Sequence, residues 1–293
     1  MIANPTVLQE VVEHRPRLLG LAYRMLGDYD EAEDVVQEAY LRWQSADQAV
    51  IRSSEAWLVT VVTRLAVDRL RRLDTERTNY PGPWLPEPIA TDASPNDSVE
   101  LASDLSVALL VLLEHLRPEE RAAFLLRDVF DVGYGEIARI LERSPDAVRQ
   151  MVHRARTRVH ARQPRVNLPA GEHERLLDRF RTALAADDAQ SVLELLSPDV
   201  VLASDGGGRA RAARNRLVGR DRVSRFLLGV TRKSGHAYEL THLNGEPALV
   251  ARKEGVIVSA YCFEIDSAGI RAVRIQRNPE KLNHAMRLAE AIA

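Results

Sequence analysis

The chain is poor in cysteine and in aromatics: 293 residues carry one cysteine, five phenylalanines and three tryptophans. A single cysteine, Cys262, excludes a disulfide framework and a cysteine-based zinc site. Its place in an alternating apolar run marks it as a packed core residue rather than a nucleophile. No apolar run reaches membrane-spanning length and the N-terminus lacks a signal-peptide core, so a cytoplasmic address without membrane contact is expected. The GxxxxGK[ST] loop is absent, which removes the usual nucleotide-hydrolysing engine. No motif calls for a cofactor, a metal or a catalytic group. Charge of either sign is nearly balanced, with a net of −2, and this argues against a uniformly basic nucleic-acid binder.

The distribution of charge says more than its sum. Between Pro145 and Arg165 stand six arginines (149, 154, 156, 158, 162 and 165) against one acid, Asp146. Residues 28–38 hold Asp28, Asp30, Glu31, Glu33, Asp34 and Glu38 without a base. One basic helix and one acidic helix suit two kinds of macromolecular partner.

The basic stretch has helix-turn-helix punctuation. A short helix is expected over 134–141, with Ile137, Ala138 and Leu141 inward. Glu142-Arg143-Ser144 makes the turn, Ser144 is suited to cap, Pro145 to the first helical position, and Asp146 to the positive helix end. The second helix turns Ala147, Val148, Met151, Val152, Ala155 and Val159 inward and Arg149, Gln150, His153, Arg154, Arg156, Arg158 and Arg162 outward. Arg and Gln near the start of such a helix can pair bidentately with base edges in a major groove. An ordinary helical hairpin with a solvated arginine face is the alternative.

Upstream, helices are expected over about 8–26, from near Asp30, and over about 55–74. The first turns Leu18, Leu19, Ala22 and Leu26 inward. The second buries Val35, Val36, Ala39, Tyr40 and Trp43 and exposes a ridge of Asp34, Gln37, Glu38, Leu41 and Arg42. The third buries Trp57, Leu58, Val61, Val62, Leu65 and Leu70, while Arg64, Asp68, Arg69, Arg71 and Arg72 gather toward its end. Residues 75–99 hold five prolines and read as an extended linker. Tyr80, Trp84, Leu85 and Ile89 within it are costly to leave in water, so the Trp84-Leu85-Pro86-Glu87-Pro88 segment should dock on another domain or on a partner. Val107, Leu109, Leu110, Leu113 and Leu116 would bury the base of the helix-turn-helix, and Gln163–Pro169 is a second hinge.

DYDEAEDVVQEAYLRW, EAWLVTVVTRLAVDRLRR and SPDAVRQMVHRARTRVH, in that order, resemble an extracytoplasmic-function sigma factor. The resemblance implies core RNA polymerase (β′ clamp coiled coil and β subunit) and promoter DNA as partners of a chain that is monomeric when free. It makes Asp34, Gln37, Glu38 and Arg42 the polymerase-docking residues. Arg64, Asp68, Arg71 and Arg72 would lie along the minus-ten strand, and Arg149, Gln150, His153, Arg154 and Arg156 would meet the minus-thirty-five element. Thr63-Arg64 stands where many members have Arg-Asn, so minus-ten specificity does not carry over.

The last 120 or so residues have another pattern: helices over 172–186 and 189–196, a strand over 200–204, a helix over 220–230, then alternating runs from Tyr238 to Arg277. This suggests an α+β sheet curled around a pocket and resembles the SnoaL-like cone. Asp205-Gly206-Gly207-Gly208-Arg209 and Asn278-Pro279-Glu280-Lys281-Leu282, with the WLPEP linker, resemble the sigma subfamily carrying that extension. Arg209 and Glu280 stand where lysine and aspartate are frequent. The expected fold class is therefore multidomain: two all-α sigma domains plus an α+β cone. Expected boundaries are 1–75, a linker at 76–99, 100–163, a hinge at 164–171, and 172–293. The extension would modulate the sigma domains through the linker, the glycine loop and the NPEKL segment. Alternatives are a DNA-binding regulator whose cone senses a small-molecule ligand, or an enzyme using His236, Tyr238, His242, Asp205 or Asp221.

Overall fold

A computed structural model describes residues 5–47, 50–91, 106–161 and 171–282, without the side chains of residues 5–12. The expected hinge at 163–169, linker residues 92–99 and Arg162 lie outside the described residues. Two compact units emerge: Met1–Thr78 with Leu109–Gln163, and Asn79–Ala108 with Pro164–Ala293.

The first unit is all-helical: α1 (Pro5–Leu26), α2 (Tyr29–Ser45), α3 (Ser54–Arg77), α4 (Val107–Leu113, in this unit from Leu109 on), α5 (Pro118–Asp128), α6 (Tyr134–Leu141) and α7 (Pro145–His160). Gly27, at φ +69, ends α1. Asp28 and Ser53 cap α2 and α3 by accepting from the amides of Glu31 and Ala56. Leu18, Leu19, Ala22 and Leu26 are buried, as are Val35, Val36, Ala39 and Trp43, whereas Tyr40 is only half-buried. The apolar face of α3 is rotated from the expected one. Leu58, Val59, Val62, Thr63, Ala66, Val67 and Leu70 are buried, and Trp57, Val61 and Leu65 sit at the margin. Small Ala66 and Thr63 allow the closer approach; the Thr63 hydroxyl donates to the Val59 carbonyl at 2.7 Å, so its burial leaves no unpaired group. Trp57 instead meets Trp43 in a tilted pair, ring centres 5.2 Å apart and ring planes at 57°. Helix α3 also runs to Arg77, beyond the expected end near Asp74, because Arg77 is anchored by Glu114 and the Leu26 carbonyl.

The second unit contains α8 (Glu172–Ala185), α9 (Ala189–Leu195), β1 (Leu196–Asp205), β2 (Leu217–Val218), α10 (Arg220–Ser234), β3 (Ala237–Leu243), β4 (Glu246–Lys253), β5 (Val256–Asp266) and β6 (Gly269–Gln276). The six strands lie in the order β2-β1-β6-β5-β4-β3, with β1 and β6 parallel and the other neighbours antiparallel. Strand β2 was not expected; two residues carry no periodic signal. Alternation sends Leu202, Tyr261, Phe263, Val273 and Ile275 into one core with Leu177, Phe180 and Leu227 of the helices. Asp205, Gln276, Cys262 and Glu264 alternate to the other face of the sheet. Cys262 is buried there, and burial pushes its thiol up to about 12.

Candidate nucleic-acid interface and linker clasp

Helix α7 is held from three sides. Ser144 accepts from the Ala147 amide at 3.2 Å, and Glu142 adopts the left-handed conformation (φ 55) that ends α6 and turns the chain. Val148, Val152, Ala155 and Val159 are buried; Leu141, Ala147 and Met151 are half-buried, and Ile140 rather than Leu141 is the deep residue of α6. Arg154 and Arg158 converge on Glu120 of α5 at 3.2 and 2.5 Å, and Arg156 clamps Asp128 at 2.5 Å. These arginines brace α7 against α5. Arg149, Gln150 and His153 are exposed, with Arg149 paired to Asp146 at 2.5 Å. Because that pair is itself exposed, it yields readily to a stronger anion.

On α2, Asp34, Gln37, Glu38, Leu41 and Arg42 form one exposed ridge, with Glu38 and Arg42 paired at 2.9 Å. Leu41 is 54% exposed, an apolar side chain on an otherwise polar strip. The α3 residues differ among themselves. Arg64 donates to the Ile140 and Arg139 carbonyls at 2.9 and 3.1 Å, at the end of α6. Arg71 bridges Asp68 and Glu119 at 2.8 and 2.6 Å, while Arg72 is exposed. Deeper in the same unit Glu114 receives both Arg77 and Arg121, and Arg121 also donates to the Arg24 carbonyl at 3.1 Å. Arg121 is 2% exposed, so this network is a desolvated one.

The second unit holds the clasp. Asp205, wholly buried, accepts from the Tyr80 hydroxyl at 2.6 Å, the Leu85 amide at 2.9 Å, the Gly207 amide at 3.0 Å and Lys281 Nζ at 2.8 Å. Lys281 Nζ also donates to the Leu85 carbonyl at 2.8 Å and lies 4.1 Å from the Trp84 ring centre. Burial, then the bond to Asp205, raises the Tyr80 hydroxyl well above its ordinary range. Gln276 reaches the Leu85 and Pro86 carbonyls at 3.3 Å each, and its own carbonyl accepts from the Asn278 amide. The linker then runs buried through Glu87 to Ala90. At the far edge it pairs with the β3–β4 turn, where Asn244 exchanges two hydrogen bonds with Ile89. Gly206, Gly207 and Gly208 fit because a Cβ would meet Ala210 O at 2.2 Å, Asn278 Cγ at 2.5 Å and Pro81 Cγ at 3.0 Å respectively. Arg209 pairs with Glu280 at 2.6 Å on the surface, Asn278 accepts from the Glu280 amide, Pro279 opens the short helix over 279–282, and Leu282 is buried.

Sequence models of Sigma-70 region 2 and Sigma-70 region 4 match residues 11–76 and 106–159. The ECF RNA polymerase sigma factor SigJ of Mycobacterium tuberculosis is 42% identical over 240 residues, 79% of this chain and 77% of that protein. The chain belongs to the ECF RNA polymerase sigma factors. A second relative, the probable ECF sigma factor SigI of the same species, is 30% identical over 92% of each chain. The crystal structure of M. tuberculosis SigJ matches with a TM-score of 0.78 at 35% identity, covering 94% of this chain and 98% of that one. The sigma factor is thus two helical sigma domains plus an α+β, SnoaL-like sheet domain. Among the described residues no helix is long and apolar enough to cross a membrane.

The acid and base groups of this sigma factor are scattered by the fold. Asp205 is committed to Lys281, and Asp221 is exposed in the first turn of α10. His242 meets Glu174 at 3.2 Å, whereas His236 has its pKa lowered by burial and by Arg277 and Lys253. The two histidines therefore answer to different neighbours. Sequence reading missed Gln276, Tyr80's hydroxyl contact, Glu120 and the Glu114 network. Only Gln276 had a signal, two residues before Asn278.

Proposed function

We propose that this sigma factor lends promoter recognition to core RNA polymerase and that its C-terminal domain controls that activity in cis. The ridge of Asp34, Gln37, Glu38, Leu41 and Arg42 is the docking surface for the β′ clamp coiled coil. Arg64, Asp68, Arg71 and Arg72 serve the minus-ten strand once Arg64 leaves the α6 carbonyls and Arg71 leaves Glu119. Arg149, Gln150 and His153 read the minus-thirty-five element, while Arg154 and Arg156 position α7 and add phosphate contacts. The observation that carries this reading is the exposed, capped and braced face of α7. The domain limits follow: 1–78 and 106–163 for recognition, 171–293 for control, and the linker as the part both share.

Run-off transcription with core polymerase tests it, comparing the full chain with truncations after Pro169 and after Arg277. Start-site selection by the full chain and altered output from either truncation are expected. Absence of any directed start site removes the reading, and unchanged output from both truncations removes the control. A second reading, a small-molecule ligand for the cone, is favoured by Ser204 Oγ, His236 Nδ1 and Arg277 Nε, buried atoms without a hydrogen-bond partner. A ligand-induced thermal shift without turnover would support sensing, and turnover would support an enzyme.

A further inference from the structure

The glycine loop of the clasp continues into the most basic part of the C-terminal domain. Residues 209–225 contain seven arginines (209, 211, 214, 216, 220, 222 and 225) and one acid, Asp221. Neither the fold nor the clasp uses most of them. Arg209 pairs with Glu280. Among the described residues Arg211, Arg214, Arg216, Arg220 and Arg222 make no side-chain ion pair, and all but Arg220 are exposed. Each like charge added to such a band costs stability through repulsion. Arg220 and Arg222 stand in the first turn of α10, where the helix dipole disfavours cations. A merely solvated surface has no need of that arrangement.

Helix α10 carries the band onward. Val223, Ser224, Leu227 and Leu228 are its buried side. The opposite side presents Arg222, Arg225, Gly229 and Lys233 in one stripe, spanning roughly 16 Å along the axis at 1.5 Å per residue. Gly229 has no structural reason on this stripe: a Cβ there would meet nothing within 4 Å. A mid-helix glycine is less stable than alanine by about 1 kcal/mol. Its effect is to leave the helix backbone low and accessible between cationic side chains.

Resting on the proposed promoter function, we infer that this band, Arg211 to Arg222 of the loop with the Arg222–Lys233 stripe, is a DNA-backbone contact surface separate from the two sigma domains. Arginine rather than lysine predominates, and the guanidinium fork matches phosphate oxygens bidentately. The Arg222–Lys233 stripe offers no aromatic platform for stacking and no Asn or Gln for base edges, and the loop adds one exposed amide, Asn215, so the contribution rests on phosphate contacts and is largely independent of sequence. It adds salt-sensitive affinity to whatever specificity α7 provides.

The test measures full-chain binding to a short linear duplex without a promoter, between about 50 and 200 mM salt. The triple variant Arg214→Gln, Arg216→Gln, Arg222→Gln should lower the slope of log K against log salt by about 2 to 3, near 0.9 per lost phosphate contact. Gly229→Glu, which alters no arginine, should weaken the same binding about tenfold without lowering the melting temperature. An unchanged slope and affinity in both folded variants overturns the inference. So does loss of association with core polymerase at an unaltered slope, which would make the band a protein contact. Run-off transcription by the wild type on a promoter, done in parallel, reads the sigma function separately, because the salt slope on promoter-free DNA stands without it.

Discussion

Replacing Lys281 with methionine should release the linker. Lys281 and Asp205 are 5% and 0% exposed, so the substitution strands a buried carboxylate. Removing one partner of such a pair costs about 3–5 kcal/mol, and the lost Trp84 contact adds up to about 2 kcal/mol. The Asp205 carboxylate keeps Tyr80, Leu85 and Gly207 as donors, so the lower part of that range applies to the pair. About 4–5 kcal/mol in all corresponds to roughly a thousandfold fall in the docking equilibrium, at about 1.4 kcal/mol per decade. Hydrogen exchange at the Leu85 amide, which donates to Asp205, is the local reporter, and it should speed up by about that factor. Adding Asp205→Asn to Lys281→Met should recover more than half of the protection, because no unpaired charge is left. Exchange within about twofold of wild type in the single variant refutes the reasoning, as does a double variant worse than the single one.

Two further outcomes follow from the second unit. Burial, reinforced by Glu264 and opposed by Arg274, raises Glu246 to about 7. The folded form then holds a proton that the unfolded chain has released, so stability present below about pH 4.5 is lost as pH rises through about 7. The change is up to roughly 3 kcal/mol at about 1.36 kcal/mol per pKa unit, and Glu246→Gln should flatten it in chemical denaturation of the full chain at pH 5 and pH 8. Gly206→Ala places a Cβ 2.2 Å from a backbone carbonyl, so it should lower the melting temperature, whereas Gly229→Ala, with open space around it, should raise it.

Much of this was legible in the sequence because it is local. The α6 limits and the Ser144 cap follow from turn residues and periodicity that a short window contains. The α3 face was misjudged because Trp57 and Leu65 outweigh Thr63 and Ala66 in any hydrophobic count, while close packing favours the smaller pair. The linker's apolar cost was readable from Trp84, Leu85 and Ile89, but its seat was not. Asp205 and Leu85 are 120 residues apart, and no local pattern links them. The arms of Arg154 and Arg156 illustrate the same limit: helical spacing gives their direction, and only the fold supplies Glu120 and Asp128.

The segment from Tyr80 to Thr91 joins α3 to α4, yet its partners belong to the sheet domain. The sheet domain therefore holds twelve positions of the chain that connects the two helical halves. An undocked tether spans about 5–6 Å times the square root of its residue number, so releasing those twelve positions widens the search volume of each half and dilutes one against the other. Cutting the tail away changes two quantities at once, a domain and a leash, whereas Lys281→Met loosens the leash alone.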